Sequence, residues 1–479
     1  MILTERYFSG CLHRLRRSGV MRRFHLFLAL GLVAGLMQAQ DWSRFRGPNG
    51  TGIAQDSGYP VVFGRGRNQL WRTPVRPGKS SPVLSDSHVF LTAAEEGRLY
   101  TQCFDRDTGQ LVWERSIAQP RQELANKLNH EAAITPVTDG QAVYAFFKDF
   151  GLVAYSSEGA QLWESPLGPF TNLMGVGASP ILVEDDVVVV VDQFTGSFVA
   201  AFARQTGEMR WKADRVEGES WSTPVLHEGR IATSGHGQFG LHDAVTGRRV
   251  GTHMPLAPAS VASPALSADI LYTFGYGLGN SGDSASASLK ALERRDRDGD
   301  GRLTPDEYGD KPIENYLARN VGNRDGVVTA DEYEVFMKSA QGINALVALR
   351  ITQDGAEELW RQEGNFNFVI PSPLAYEDVI YVVRNGGILT TYDAASGAEL
   401  KVARLTGALG GYSASPVAAE GRIWFGSEEG NVAVVRAGRD WEVAQVNELG
   451  EGIFATPALS GGVIYLRTED ALYALRNTE

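Results

Sequence analysis

Short runs of alternating apolar and polar residues recur along most of the chain, separated by turns that contain glycine. Residues 80–114, "SSPVLSDSHVFLTAAEEGRLYTQCFDRDTGQLVWE", show the pattern, with three runs of strand length and two glycine turns. Alternation with a period of two indicates β-strands with one buried face. The 54 glycines among 479 residues fit a chain with many tight turns. The pattern therefore predicts an all-β fold.

The strand pattern belongs to a repeat that occurs eight times. Each repeat opens with a small hydroxyl residue and a proline: Ser81-Pro82, Thr135-Pro136, Ser179-Pro180, Thr223-Pro224, Ser263-Pro264, Ser372-Pro373, Ser415-Pro416 and Thr456-Pro457. Successive prolines are 40 to 54 residues apart, except for one interval of 109 residues. Each repeat has room for four antiparallel strands, which is the content of one propeller blade. We therefore predict an eight-bladed β-propeller with an insertion in its fifth blade.

The two ends of the repeat array complement each other. The last repeat stops at "ALYALRNTE" without an outer strand that carries a tryptophan, whereas "NQLWRTPV" near the N-terminus is such a strand and contains Trp71. We expect the early strand to complete the last blade, because this pairing would cover an exposed sheet edge.

The first 39 residues have the pattern of a signal peptide. They contain six arginines and one acid, followed by twelve apolar or glycine residues from Leu26 to Met37. This run is too short to cross a bilayer as a helix. We predict cleavage after Ala39, a periplasmic or secreted protein, and no transmembrane anchor after processing. Cys11 lies before the apolar run, so no lipid-acceptor cysteine stands at the cleavage point.

Charge and cysteine content narrow the function classes. The formal net charge is −12, and it is −17 for residues 40–479. A surface of this sign repels a phosphate backbone, so no nucleic-acid partner is expected. Cys103 is the one cysteine after the predicted signal peptide. It has no partner for an internal disulfide, and we interpret it as a buried strand residue.

The turns of the repeat resemble those of a known family. "DRDTGQLVW" (Asp105 to Trp113) is similar to the tryptophan-docking repeat of the quinoprotein (PQQ) propellers. "DWSRFRGPNGTGIA" near the N-terminus resembles bacterial exported PQQ-binding-like propellers, relatives of the outer-membrane assembly lipoprotein B. The resemblance implies an eight-bladed propeller and leaves open an envelope protein as partner. It also implies that the shared tryptophans pack blades together rather than contact a ligand: Trp113, Trp163, Trp211 and Trp360.

The long interval contains a calcium-loop motif. "DRDGDGRLTPDE" places oxygen-bearing groups at every ligand position of an EF-hand loop: Asp296, Asp298, Asp300, the carbonyl of Arg302, Thr304 and Glu307. Gly301 permits the sharp turn, and Leu303 is expected to pair with a second loop. We predict Ca²⁺ as the cofactor and place a small α-helical EF-hand module at residues 278–342, between propeller segments 40–277 and 343–479.

A second, weaker loop begins 25 residues later. It has Asn323, Asp325, Val327 (through its carbonyl), Thr329 and Glu332 at ligand positions, but Val321 stands at the first position. Valine has no side-chain oxygen, so this loop is predicted to be a weak metal site or a structural partner of the first loop.

The channel mouth supplies candidate ligand contacts. The segments before the repeat prolines and the loops between second and third strands point to His130, Trp221, Asp192, Gln193 and Tyr412. The same reasoning adds further residues: Lys79, Glu131, Met174, His236, Phe368, Arg384, Asn385 and Phe454. Such a mixture of aromatic and polar groups suits a small molecule or a peptide segment.

Two functions remain open at this point. The first is an exported calcium-binding propeller that acts as a ligand-binding or scaffold module and has no catalytic residues. The alternative is a PQQ-dependent alcohol or sugar oxidoreductase. The resemblance implies that such an enzyme would carry adjacent cysteines over its quinone, and the chain lacks them. PQQ is therefore not expected.

Overall fold

The computed structural model describes most of the chain after the predicted signal peptide. The described residues are 42–122, 129–172, 174–193, 196–215, 217–253, 256, 260–275, 294–309, 318, 325–330, 332, 344–364, 366 and 369–478. The predicted signal peptide, residues 1–39, lies outside them.

Most of the described strands form four-stranded antiparallel units. A parallel pairing of Thr252 with Gly355 joins the fourth and fifth units into one eight-stranded sheet. Strand β1 (Gln69–Pro74) precedes the first unit. The first four units are β2 (Val83–Leu84), β3 (His88–Glu95), β4 (Arg98–Asp105) and β5 (Leu111–Ala118); β6 (Val137–Thr138), β7 (Ala142–Phe147), β8 (Gly151–Ser156) and β9 (Gln161–Pro166); β10 (Ile181–Val183), β11 (Asp186–Val191), β12 (Phe198–Ala203) and β13 (Met209–Asp214); and β14 (Val225–His227), β15 (Arg230–Ser234), β16 (Phe239–Asp243) and β17 (Arg249–His253).

The fifth unit is interrupted after its second strand. It consists of β18 (Ala265–Ser267), β19 (Ile270–Gly275), β22 (Ala345–Thr352) and β23 (Gly355–Glu363). Between β19 and β22 the chain forms β20 (Arg302–Leu303), helix α1 (Pro305–Tyr308) and β21 (Val328–Thr329). Because β19 and β22 pair directly, from Gly275 opposite Ala345 to Ile270 opposite Arg350, the inserted residues leave the sheet without disturbing it.

Three further units complete the array. They are β24 (Leu374–Tyr376), β25 (Val379–Arg384), β26 (Ile388–Asp393) and β27 (Glu399–Arg404); β28 (Val417–Ala419), β29 (Arg422–Gly426), β30 (Asn431–Arg436) and β31 (Glu442–Glu448); and β32 (Ala458–Ser460), β33 (Val463–Arg467) and β34 (Ala471–Leu475). β1 pairs antiparallel with β34, with Trp71 opposite Ala474. The prediction that the early strand completes the last unit is confirmed.

The core lies between neighbouring sheets. All side chains of β7 and β12 are buried, because these middle strands have a sheet on each side. The fourth strands alternate, as in β9, where Trp163 is buried and Leu162 is exposed. Cys103 is a buried residue of β4, as interpreted from the sequence.

Tryptophans on fourth strands join one unit to the next. The Trp113 ring packs on Gly159 in the following unit, and its Nε1–H donates to the Ser157 carbonyl (2.7 Å). Gly159 has a φ of +84°, and a Cβ there would lie 2.7 Å from the ring. Only glycine meets both requirements without strain. The predicted blade-packing role of the tryptophans is confirmed for Trp113.

The segment of residues 42–56, called here the N-terminal strap, crosses the first strands of several units. It contains a short 3₁₀ helix, Pro48–Gly50. Its contacts reach six of the eight units: the Trp42 carbonyl with Leu84 N–H, the Ser43 carbonyl with Thr138 N–H, Asn49 with both backbone groups of Leu226, Arg46 with the Pro373 carbonyl, Ala54 with Ala418, and Asp56 with Gly461 N–H. The strap therefore ties together units that are distant in the sequence, such as the fourth unit with Leu226 and the seventh with Ala418.

Candidate functional site: the hydroxyl ring, the channel cavity and the acidic loop

The eight repeat hydroxyl residues form a closed ring of hydrogen bonds. In each case the backbone N–H of one residue donates to the hydroxyl oxygen of its counterpart in the next unit. The bonds run from Ser81 to Thr135, Thr135 to Ser179, Ser179 to Thr223, Thr223 to Ser263, Ser263 to Ser372, Ser372 to Ser415, Ser415 to Thr456 and Thr456 back to Ser81, with N···O distances of 2.9 to 3.1 Å.

A cavity of about 440 Å³ lies inside this ring. All eight ring residues line it, together with Phe45 of the strap. A volume of this size falls in the range of small-molecule sites. Because the ring residues precede the first strands, the repeat proline motif brings one residue of every unit to the same cavity.

Several predicted mouth residues reach the cavity. Trp221 lines it, and its Nε1–H donates to the Gly175 carbonyl (2.7 Å). The Lys79 ammonium lies 3.6 Å from the centre of the Phe454 ring, and both residues line the cavity. Met174 and Asn385 also line it. The cavity wall thus combines aromatic faces with amide, hydroxyl and ammonium groups.

Other predicted mouth residues are engaged in internal bonds and do not line the cavity. The buried Asp192 carboxylate pairs with Arg215 (2.7 Å) and accepts a bond from the Ser220 hydroxyl (2.5 Å). The Gln193 amide oxygen accepts from Thr171 N–H (2.8 Å). Burial raises the pKa of Asp192, while the charge of Arg215 acts in the opposite direction.

Tyr412 and His130 are also held by the protein itself. The buried Tyr412 hydroxyl donates to the Ala408 carbonyl (2.6 Å). His130 Nδ1 accepts from Ala132 N–H (3.1 Å), and its Nε2 lies 3.5 Å from the Glu131 carboxylate. Burial lowers the pKa of His130. Phe368, another predicted mouth residue, lies outside the described residues.

Three buried arginines behind the cavity wall were missed by the sequence analysis. Arg44 Nη2 donates to the Pro224 carbonyl (2.6 Å) and Arg46 Nη2 to the Pro373 carbonyl (2.7 Å). Arg467 Nη1 donates to the Ser80 hydroxyl (2.8 Å).

These bond partners connect the arginines to the wall, since Pro224, Pro373 and Ser80 each adjoin a residue of the hydroxyl ring. Burial lowers the pKa of Arg44, Arg46 and Arg467 to about 9.

The predicted calcium loop is compact. Carboxylate oxygens of Asp296, Asp298 and Glu307 lie within 4.8 Å of one another. Asp296 accepts bonds from the N–H groups of Gly299 (2.7 Å) and Gly301 (2.8 Å), so the turn closes around its carboxylate.

Two predicted ligands of this loop, Asp300 and Glu307, also accept hydrogen bonds within the loop. Asp300 accepts a bond from the backbone N–H of Arg302 (2.8 Å), and Glu307 accepts bonds from Thr304 N–H and its hydroxyl (2.8 Å each). The N–H groups of Thr304 and Arg297 lower the pKa of Glu307. The Glu307 carboxylate is therefore kept ionised, which is the form that a cation requires.

The two loops pair with each other. Leu303 pairs with Val328, and Arg302 with Thr329, in a two-stranded antiparallel sheet. Both apolar side chains are fully buried, and the Tyr308 hydroxyl donates to the Gly326 carbonyl (2.9 Å). The predicted contact of Leu303 with the second loop is confirmed.

The second loop is described only in part. Asp325 accepts a bond from Val327 N–H (2.8 Å), and Glu332 accepts one from Thr329 N–H (2.9 Å). Asn323 and Val321 lie outside the described residues.

The comparisons with known proteins place these features in a family. The family model of the outer membrane protein assembly factor BamB matches residues 61–275 and 317–479. The chain belongs to this BamB family. No curated protein matches the chain in sequence.

Solved structures share the β-propeller fold. BamB from Moraxella catarrhalis is 12% identical, with a TM-score of 0.55 over 85% of this chain and 99% of that chain. A europium-containing methanol dehydrogenase is 12% identical, with a TM-score of 0.56 over 90% of each chain. A computationally designed protein, Ika8, is 12% identical, with a TM-score of 0.54 over 85% of this chain and 99% of that chain. At these identities the likeness shows a shared fold and nothing about function.

The cavity residues do not fit the quinone site that the PQQ resemblance implies. Cys103 is buried in the core, so it cannot contribute to a cysteine pair at the cavity. Among the described residues, the one cluster of three or more potential metal-ligating side chains is Asp296, Asp298 and Glu307 in the insertion. No described helix is long and apolar enough to cross a membrane.

Proposed function

We propose that this BamB-family chain is an exported calcium-binding β-propeller that binds a small molecule or peptide segment in its channel. In this proposal the eight four-stranded units are the blades of one closed ring. The observation that carries it is the hydroxyl ring, because one residue from every unit bonds to the next and all eight line one cavity. A scaffold whose repeat motif converges on a cavity is suited to binding rather than to packing alone.

The acidic loop is the proposed calcium site of an EF-hand module. Three observations support it: the close approach of the Asp296, Asp298 and Glu307 carboxylates, the turn closed by Gly301 N–H, and the pairing of the two loops. Hard cations such as Ca²⁺ prefer six to eight oxygen ligands, which the loop can provide together with the Arg302 carbonyl and water.

Calorimetric titration with Ca²⁺ tests this site. We expect one main binding event in the wild-type protein and at least about tenfold weaker binding in Glu307→Gln, because the variant loses a charged bidentate ligand. Asp306→Asn is the matched control, since Asp306 carries the same charge on the same short helix but occupies no ligand position. Equal affinities in Glu307→Gln and wild type would contradict the assignment.

Location and partners are proposed from the family. The BamB name describes an outer membrane protein assembly factor, and we propose a periplasmic or secreted location with an envelope protein as one kind of partner. Mass spectrometry of the exported protein tests the location through its N-terminus, which we expect at Gln40. A retained N-terminal segment or an attached lipid would contradict it.

A further inference from the structure

The hydroxyl ring presents hydrogen-bond donors to the cavity. Each ring oxygen already accepts a backbone N–H from the preceding unit. A hydroxyl group has one hydrogen to donate in addition to the bonds that it accepts. In the described part of the chain, none of the eight ring hydroxyls donates to a protein acceptor. The ring is therefore a circle of O–H donors, and its complement is a ligand rich in acceptor oxygens.

The buried arginines behind the cavity wall also favour a ligand with negative charge. Arg44, Arg46 and Arg467 are at least nine-tenths buried, and no described carboxylate lies within ion-pair distance of their guanidinium groups. Arg46 Nε and Nη1 and Arg467 Nε lack any hydrogen-bond partner among the described residues. Buried charges without counter-ions are costly, and a negative charge nearby offsets that cost.

The charges on the cavity wall itself cancel. Among the described lining residues, Lys79 and Glu428 are the charged ones. The Glu428 carboxylate accepts a bond from the Ser413 hydroxyl (2.5 Å). With this pair balanced, the three arginines add positive charge behind the wall. Burial lowers the pKa of His130 near the mouth, Glu131 acts in the opposite direction, and the positive charges of Arg467 and Lys79 act in the same direction as burial.

From these observations we propose that the channel cavity selects a small organic oxyanion, such as a carboxylate, with an apolar or aromatic body. The hydroxyl ring binds the anionic oxygens, while Trp221, Phe45 and Phe454 contact the apolar part. This inference rests on the proposed ligand-binding role of the channel and adds the charge class of its ligand.

Three molecules of one shape and different charge test the selection. Benzoate is an anion, benzamide is neutral and benzamidinium is a cation, and all three are smaller than the cavity. Titration of the whole protein with each, followed by tryptophan fluorescence and ligand-observed NMR, gives their relative affinities. We expect benzoate to bind most tightly and benzamidinium most weakly. Raising the ionic strength is expected to weaken benzoate binding and to leave benzamide binding unchanged.

Two variants that remove opposite charges from the cavity wall serve as controls for each other. Lys79→Met removes a positive charge, and we expect it to weaken benzoate binding about fivefold. Glu428→Gln removes a negative charge of the same wall, and we expect it to strengthen benzoate binding about threefold. Trp221→Phe is expected to abolish the fluorescence response, which locates the probe in the channel. Melting curves identify any variant that fails to fold. The ionic-strength series uses the wild-type protein and therefore does not depend on the folding of any variant.

The outcomes separate this inference from the proposed function. Benzamidinium binding as tightly as benzoate would overturn the charge selection and leave a ligand-binding channel. Benzoate binding that is unaffected by both Lys79→Met and Glu428→Gln would place the anion elsewhere and also overturn it. Absence of binding by all three molecules up to about 10 mM would overturn both the anion site and the channel part of the proposed function.

Discussion

The blade sheets and the insertion are stabilised in different ways. Each blade sheet is covered on both faces by its neighbours, and tryptophans, the hydroxyl ring and the strap connect one unit to another. The described part of the insertion has a two-residue pairing, a four-residue helix and a few buried side chains such as Leu303 and Val328. The difference indicates that the propeller depends on its own packing, whereas the insertion, in our proposal, depends on a bound ion.

Removing a blade-packing tryptophan should have the largest effect on the stability of the propeller. We expect Trp113→Ala to lower the free energy of unfolding of the propeller by about 3–5 kcal/mol, because the ring fills the contact with Gly159 and donates to Ser157. Leu111→Ala is the control, since Leu111 is on the same strand and 49% exposed. Denaturant unfolding followed by tryptophan fluorescence and circular dichroism measures both. Equal stability of the two variants would show that the packing contact is not needed.

A buried histidine should make the propeller, but not the insertion, sensitive to acid. His242 is fully buried with Nε2 3.2 Å from Arg215 Nη1, and burial together with the Arg215 charge lowers the pKa of His242 to about 4. The unfolded chain therefore takes up this proton at higher pH than the folded chain does. The associated stability is complete above about pH 6.5 and is lost as the pH falls towards 4, by up to about 3 kcal/mol.

His242→Gln measures that contribution. We expect the variant to be less stable than wild type at neutral pH and to lose less stability between about pH 7 and pH 4.5. Urea unfolding at a series of pH values gives the slope of the free energy of unfolding against pH for the variant and for wild type. Identical slopes would show that His242 does not set the acid response of the propeller.

Calcium removal should affect the two regions unequally. With chelator we expect the amide exchange of residues 296–307 to increase while the main thermal transition of the propeller moves by no more than about 2 °C, since its sheets contain no proposed ligand. Hydrogen exchange and calorimetry in calcium and in chelator provide the measurement. Collapse of the whole propeller in chelator would contradict the separation of the two regions.

The smallest expected effect concerns quinone chemistry. Reconstitution with PQQ and calcium should give no dye-linked oxidation of alcohols or sugars, because the channel lacks a cysteine pair and a described cluster of metal-binding carboxylates. Turnover that disappears when the quinone is removed would overturn the binding function in favour of the oxidoreductase.

The repeat pattern could predict the units because each one repeats the same local rules of strand alternation and glycine turns. The same applies to the pairing of β1 with β34 and to the contact between Leu303 and Val328. These features depend on periodicity and position, which a sequence displays directly.

Side-chain direction in the loops could not be predicted in the same way. The segments before the repeat prolines placed Tyr412 at the channel mouth, and the loops between second and third strands placed Asp192 there. A core cluster holds Tyr412 and a buried arginine holds Asp192 elsewhere. Arg44, Arg46 and Arg467 were overlooked because arginine in a polar stretch is normally exposed. Their bonds to distant carbonyls, such as Arg46 with Pro373, exist only after the ring has closed.

The pairing of β1 with β34 has a consequence for how the molecule is made. Trp71 and its partner Ala474 are about four hundred residues apart, and a ribosome needs about 20 to 80 seconds to synthesise that length. During this time β1 lacks its sheet partner, and an unpaired strand can join other chains. Contacts of such sequence separation also slow folding. The final closure is therefore a late step, and conditions that delay it should increase aggregation before they lower the stability of the finished protein.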